Sequence, residues 1–452
     1  MHSVVVGLGK TGVSCLRYLS KRGIPARGTD SRAAPPGLAE LGDLKNSLEL
    51  RLGGFDLGLL DGASQVLMSP GVSLDEPIVR AARELGIEVL GDVELFARNV
   101  RAPVIGVTGT NGKSTVTSLV ARMAEAAGRR VLAGGNLGVA ALDLLEQPVP
   151  DLYVLELSSF QLETTYSLRL QAAVVLNVTA DHMDRYPSVA AYANAKSRIF
   201  ARAATVVLNA DDPLVAAMRG TAGGGARTVT FSIESPLADF SLVRDGARIL
   251  LAHHGVALLD TARMKISGLH NAANALAALA LGDAVGLPMP EMLEALESFP
   301  GLPHRSQWIL DVAGVRYVDD SKGTNVGAAL AAVAGMPGPL VMIAGGDGKG
   351  QDFTPLAAGF RGHVRHVVLI GKDAPALAAA LEGVCPTETM ARRADAAASM
   401  REAVDAAARA AHSGDTVLLS PACASLDMFR DYRHRGEVFA AAVRALNERL
   451  PA

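Results

Sequence analysis

Cysteine is scarce: Cys15, Cys385 and Cys423 are the three in 452 residues. They are widely scattered and form neither a CxxC pair nor a zinc-ligand spacing. That excludes a disulfide framework and a structural zinc site, and leaves reduced thiols in a cytosolic protein. Long hydrophobic runs are also missing. No uninterrupted apolar stretch approaches the roughly 20 residues that cross a bilayer. The short run Val4–Val6 is broken at once by glycine, so a signal-peptide core is not expected. Neither charge sign dominates: 43 Lys and Arg stand against 46 Asp and Glu, a net charge of -3. No basic block is present for coating a nucleic acid. There is no short repeat of the solenoid type, and the one low-complexity patch, Gly223–Gly225, reads as a surface loop. What is there is alanine, valine and leucine spread throughout. A soluble, cytoplasmic α/β protein is expected, with two to four domains at about 100–200 residues each.

Short β-branched runs alternate with alanine- and leucine-rich stretches of helical length, which predicts parallel sheets with crossover helices. Three segments follow. Residues 1–92 open on Ser3–Gly7 and close near Gly91-Asp92. Residues 93–301 open on Pro103–Thr108 and close at Phe299–Pro303, where two prolines and a glycine punctuate the chain. Residues 302–452 hold strands near Val315–Asp319, Leu340–Ala344, His366–Ile370 and Thr416–Ser420.

Two glycine turns follow strands. Gly7-Leu-Gly9-Lys-Thr-Gly12 matches GxGxxG, and Asp30 comes 18 residues later. The pattern alone fits NAD or FAD, a structural tight turn, or another nucleotide diphosphate. Gly109-Thr-Asn-Gly-Lys113-Ser114-Thr115 says more. Its amides can cradle phosphate, Lys113 can neutralise β- and γ-phosphates, and Ser114 can offer a hydroxyl to magnesium. Val107 stands where the standard pattern has its first glycine, so this is a variant P-loop.

Acids and bases collect just past strand ends, which face the ligand crevice in open α/β sheets. Glu156 ends an apolar strand and is a candidate magnesium ligand; an acid capping the next turn is the plain alternative. His182, in Thr179-Ala-Asp-His-Met-Asp184, follows another strand and suggests metal or substrate binding. Lys196 lies on the expected helix Ser188–Phe200, where a lysine is usually a solvated surface residue. Asp319–Asn325 and Gly345–Gly350 follow strands too. They read as polar turns or as loops gripping an anion, and with the P-loop they suggest a cleft closed by two domains.

Together these motifs resemble the Mur ligase family. The resemblance rests on Gly109–Thr115, Glu156–Glu163, Asn177–Asp184, His270–Asn274, Asp320–Asn325, Gly345–Lys349 and Leu419–Asp427. It spans nearly the whole chain in order. The P-loop alone would also fit folylpolyglutamate synthetases. The Asp-His-Met-Asp-Arg-Tyr, Asp-Ser-Lys-Gly-Thr-Asn and Ser-Pro-Ala-Cys-Ala-Ser-Leu-Asp runs point to the D-glutamate-adding branch.

The resemblance implies three domains: an N-terminal Rossmann-like domain for the UDP-substrate, a central P-loop ATPase-like parallel sheet, and a C-terminal Rossmann-like domain for the amino acid. It places UDP-N-acetylmuramoyl-L-alanine at Lys10, Thr11, Asp30, Ser31, Arg32, Gly71, Asn136 and His182. It places ATP at Gly109, Thr110, Asn111, Gly112, Lys113, Ser114, Thr115, Asn274, Arg305 and Asp320. D-Glutamate would meet Thr324, Lys349, Ser425, Leu426 and Tyr432. Two Mg²⁺ ions would be held by Ser114, Glu156, His182 and Lys196, the last as a carbamate. Lys113, His182, Lys196 and Lys322 would serve catalysis. Tyr432 stands where relatives commonly place phenylalanine, and Lys10 replaces a common apolar residue. The implied reaction is ATP-dependent amide formation through an acyl phosphate, by a monomer with no nucleic-acid partner and no membrane span. An oxidoreductase using Gly7–Gly12 would leave Lys113, Glu156 and Lys349 unexplained. A non-catalytic nucleotide-binding module would bind ATP without releasing phosphate.

Overall fold

Three β-sheets form among the described residues, one after another along the chain. This is a computed structural model, and it describes residues 1–452 except 222, 267, 337, 392–394 and 450–452. The first sheet has five strands, all parallel, in the order Glu49–Leu52, Ala26–Asp30, His2–Val6, Ala63–Met68, Glu88–Gly91. The strand order reverses direction beside His2–Val6. In doubly wound sheets that is where ligands bind. His2–Val6 is buried along its whole length, as a central parallel strand covered on both faces must be.

The second sheet has nine strands. Its parallel heart runs Arg227–Phe231, Ala203–Asn209, Leu170–Val175, Val104–Thr108, Leu152–Glu156, Val131–Gly135. Beyond Arg227–Phe231 it continues through Phe240–Asp245, then antiparallel through Arg248–His253 and Val256–Asp260. The third sheet, of six strands, runs Gln307–Val312, Val315–Asp319, Thr416–Leu419, Leu340–Gly345, Val364–Ile370, Thr387–Thr389. Its first two strands form an antiparallel hairpin and the rest are parallel. Leu340, Val341, Met342 and Ile343 are fully buried, with one apolar cluster on each face of that sheet. The architecture is therefore α/β with mainly parallel sheets, as the sequence predicts. The antiparallel extensions were not expected.

Packing divides the chain into two units. The first comprises residues 1–178, 190–260 and 274–297; the second comprises 179–189, 261–273 and 298–452. Within the first, the N-terminal sheet is tied to the central one by partly buried polar contacts. Glu94 accepts the amides of Tyr166 and Ser167 at 2.7 and 2.8 Å, and Ser14 donates to Asp143 at 2.7 Å. Among the described residues no helix is long and apolar enough to cross a membrane.

Candidate active site

In the first unit, the strand Val104–Thr108 is wholly buried and delivers its C-terminal end to the loop 109–112. Gly112 then turns left-handed (φ 83°) and the helix Lys113–Ala126 begins. Only glycine reaches that conformation without strain. A Cβ there would also collide with the Asn274 side chain, so Asn274 packs against the loop. Asn177 clamps the same loop. Its carbonyl accepts the Thr110 amide at 2.9 Å, its side-chain oxygen accepts the Asn111 amide at 2.8 Å, and its Nδ2 donates to the Asn111 carbonyl at 3.2 Å. Ser114 and Thr115 occupy the first turn, almost buried. A helix start beside a glycine loop suits a phosphate chain.

Lys113 curls back over its own loop, donating to the carbonyls of Gly109 and Thr110, both at 2.9 Å. Lys196 sits on the helix Val189–Ser197 and is 1% exposed. The expectation of a solvated surface lysine is therefore wrong: tertiary packing turns this part of the helix inward. Its Nζ donates to the Gly109 carbonyl at 2.8 Å and lies 4.2 Å from the centroid of the Tyr192 ring. Two lysine amines thus converge on one carbonyl oxygen.

Glu156 ends the strand Leu152–Glu156, in register with Val107 beside the phosphate loop. It is 3% exposed. Its Oε1 accepts from Asn136 Nδ2 at 2.6 Å, and its Oε2 is buried with no hydrogen-bond partner among the described residues. A buried carboxylate oxygen left unpaired is costly and fits a bound cation, so Glu156 suits a hard, oxygen-preferring ion such as Mg²⁺. Asn136 is exposed, and its backbone amide also donates to the Glu156 carbonyl, at 2.8 Å.

At the reversal point of the first sheet, Gly7 is left-handed (φ 89°) and a Cβ on Gly12 would run into the Gly7 carbonyl. Asp30, 1% exposed, accepts the Leu8 amide at 2.6 Å and a two-point contact from Arg32 at 2.9 and 2.8 Å. Burial raises its pKa, but Arg32 and the amides of Leu8 and Arg32 outweigh that and hold the carboxyl below the usual value. Asp30 therefore holds the loop and Arg32 in place. Arg32, Lys10 and Ser31 are exposed around it, with Thr11 half-buried and Gly71 exposed after the neighbouring strand.

In the second unit, Asp319 and Asp320 end the strand Val315–Asp319. Asp320 accepts from Ser420 Oγ at 2.7 Å and from the Ser306 amide at 3.1 Å. Burial pushes its pKa up to about 7, against the opposing effects of those bonds and the Arg305 charge. Lys322 Nζ lies 4.2 Å from the centroid of the Tyr432 ring. Lys349 follows the strand Leu340–Gly345 with φ 53°, its Nζ 3.9 Å from Asp181. Asp181 also meets Asn325 Nδ2 at 3.5 Å, which brings the 179–189 run to the C-terminal loops. His182 is left-handed (φ 58°), an uncommon state for a non-glycine residue. Asp347 and Ala424 exchange backbone hydrogen bonds, bringing the Gly345–Gly350 loop to Ser425, which is buried, and Leu426, which is exposed. Thr324 is half-buried.

Family-model comparisons match three successive stretches: a Mur ligase MurD-like N-terminal domain over residues 1–91, a Mur ligase middle domain over 107–282 and a Mur ligase glutamate ligase domain over 304–423. The chain belongs to the Mur ligase family. The UDP-N-acetylmuramoylalanine–D-glutamate ligase of Nitrosococcus oceani is 53% identical over 98% of this chain and 96% of its own. The enzyme of that name from Pseudomonas aeruginosa is 48% identical over 98% of each. Among solved structures, a pseudomurein peptide ligase type C from Methanothermus fervidus aligns with TM-score 0.64 at 18% identity, covering 99% of this chain and 100% of its own. The UDP-N-acetylmuramate–alanine ligase of Thermotoga maritima aligns at 0.62 and 20%, with 99% and 100% coverage. These two likenesses show the Mur ligase fold and no more.

Several residues around these Mur ligase motifs were not singled out as site residues. Asn177 holds the phosphate loop, and Tyr192 faces Lys196. His304 Nδ1 meets Asp319 Oδ2 at 2.7 Å, which raises the histidine pKa despite its partial burial. Arg435, fully buried, donates to the Ser321 hydroxyl at 3.0 Å and carbonyl at 2.8 Å and to the Cys423 carbonyl at 3.1 Å. It thereby ties the loop after Asp320 to the Ser420–Asp427 segment.

Proposed function

We propose that this Mur ligase joins D-glutamate to UDP-N-acetylmuramoyl-L-alanine at the expense of ATP, in cytoplasmic peptidoglycan precursor synthesis. The observation that carries this reading is the end-to-end similarity, at about half identity, to D-glutamate ligases. The phosphate loop backed by Glu156, Lys113 and Lys196 supports it.

A carboxylate is a poor electrophile. Transfer of the γ-phosphoryl group to the L-alanine carboxylate gives an acyl phosphate with a good leaving group. The D-glutamate amine then attacks the acyl carbon, and the tetrahedral intermediate collapses to an amide and inorganic phosphate. The phosphate-loop amides and Lys113 stabilise charge on the transferring group. Ser114 and Glu156 would hold Mg²⁺, which would supply further charge neutralisation during phosphoryl transfer. Asn274 and Arg305 serve the nucleotide, with Asp320. Arg32, Lys10, Thr11, Ser31 and Gly71 receive the UDP moiety, Asp30 orients Arg32, and Asn136 serves the same substrate. Thr324, Lys349, Ser425, Leu426 and Tyr432 receive D-glutamate, with the Lys349 ammonium pairing a carboxylate. Lys322 supports the intermediate. His182 has both metal and substrate roles, as the family resemblance gives it.

Lys196 acts as a carbamate in this reading. Two ammonium groups on one carbonyl repel each other, more strongly where water is excluded. Conversion of Lys196 to a carbamate replaces that repulsion with an attraction to Lys113 and supplies anionic oxygens for a second Mg²⁺.

The route is tested with UDP-N-acetylmuramoyl-L-alanine labelled with ¹⁸O in its alanine carboxylate. An acyl phosphate intermediate moves one label into the released phosphate. Phosphate free of label, in a reaction that forms the amide, would remove the acyl phosphate from the account.

A further inference from the structure

A second concave site lies on the far edge of the central sheet. A groove of about 910 Å³ opens at Val104, Leu170 and Ala203, the first residues of three adjacent parallel strands. The phosphate loop and Glu156 stand at the opposite, C-terminal ends. A five-residue strand rising ~3.3 Å per residue puts roughly 17 Å of sheet between the two edges. The volume is in the range of small-molecule pockets, about 300–1,000 Å³.

The lining is chemically one-sided. Ala97, Val100 and Pro103 add apolar surface to the three strand starts, while Arg169 and Arg202 stand at the groove and no Asp or Glu among the described residues lines it. The guanidinium groups of Arg169 and Arg202 donate to no described residue. The loop 223–225 completes the lining, and none of its three backbone amides donates to a described residue. Gly225 is left-handed (φ 94°), and the loop turns on a hydrogen bond from the Ala226 amide to the Gly223 carbonyl at 3.2 Å.

We propose that this groove is a binding site for an organic phosphate: a phosphate monoester with an apolar body, separate from the ATP and UDP-substrate sites. The fork of an arginine matches phosphate oxygens, and exposed glycine amides add donors without a side chain in the way. The apolar strand starts take the body of the ligand.

The probe is phenyl phosphate, titrated into the full chain with excess ADP present to fill the phosphate loop. Amide signals of Gly223–Gly225 and the Nε–H signals of Arg169 and Arg202 are followed by NMR. The expected result is a saturable shift at these groups. In the R169E/R202E variant the affinity falls at least about tenfold, the loss of one charge-assisted contact, while ligase turnover stays within twofold of the parent. Inorganic phosphate, lacking the apolar body, binds at least tenfold more weakly than phenyl phosphate. No saturable shift, an unchanged affinity in R169E/R202E, or equal binding of inorganic phosphate would each overturn the proposal.

Discussion

Asp92→Asn should change how stability depends on pH. Asp92 opens the helix Asp92–Ala97 where the first sheet meets the central one, and it is 1% exposed. Its Oδ2 accepts from Gln161 Nε2 at 3.4 Å, and its Oδ1 has no partner among the described residues. Burial lifts its pKa from 3.8 to about 6, against smaller opposing effects from backbone amides and Gln161. The folded pKa is above the unfolded one, so the proton is bound more tightly in the folded chain. Its stabilising contribution is complete below about pH 4 and is lost as pH rises through about 6. A shift of about two pH units corresponds to about 3 kcal/mol. Asparagine carries no charge to desolvate. It keeps an oxygen for Gln161, whose own Oε1 is engaged by the Ser158 amide at 3.1 Å, and leaves an unpaired N–H at a cost of about 1–3 kcal/mol. The variant should be less stable than the parent near pH 4 and should gain on it by about 3 kcal/mol by pH 8. Calorimetric melting of both proteins across this range reads the difference in the first transition. A difference in Tm that stays constant from pH 4 to 8 would refute the reasoning.

Lys113→Ala should lower turnover by about 10²–10³ or more, the typical loss of one transition-state contact, with circular dichroism unchanged; a folded variant at parental rate would remove Lys113 from the chemistry. Lys196→Ala should lose activity and regain part of it with acetate, which fills the vacated anionic position; no rescue by acetate or by longer carboxylic acids would count against the carbamate. Arg32→Ala should weaken the UDP-substrate by about 10- to 100-fold, the 1.5–3 kcal/mol of a charged hydrogen bond, and leave a non-hydrolysable ATP analogue untouched. Lys349→Ala should raise KM for D-glutamate by a similar factor while KM for ATP holds, and equal rises in both would argue against a contact with the amino acid.

The phosphate loop was legible because its glycines and Lys113 have a mechanical meaning that survives without tertiary context. The strand ends at Thr108, Glu156 and Asp319 were legible for the same reason, since short apolar runs stop where polar residues begin. Lys196 was not. The helix Val189–Ser197 buries Tyr192, Ala193, Ala195, Lys196 and Ser197, so almost all sides of its second half are covered and no amphipathic pattern marks the lysine. Only family resemblance brought it forward. The meeting of His304 with Asp319 depends on how the hairpin Gln307–Asp319 folds back, and Arg435 reaches Ser321 from 114 residues away; spacing in the chain carries neither. The antiparallel extension Phe240–Asp260 did leave a signal. His254-Gly255, both with positive φ, is a two-residue hairpin turn between short β-branched and apolar runs. It was missed because strands were assumed to alternate with helices.

Release of ADP in the presence of UDP-N-acetylmuramoyl-L-alanine, ATP and Mg²⁺, measured separately with D- and L-glutamate, tests the central claim most directly. The account predicts sustained ADP release with D-glutamate, matched by amide product, and only background release with L-glutamate or with no amino acid. No ADP release with D-glutamate, or equal release with both enantiomers, would contradict it.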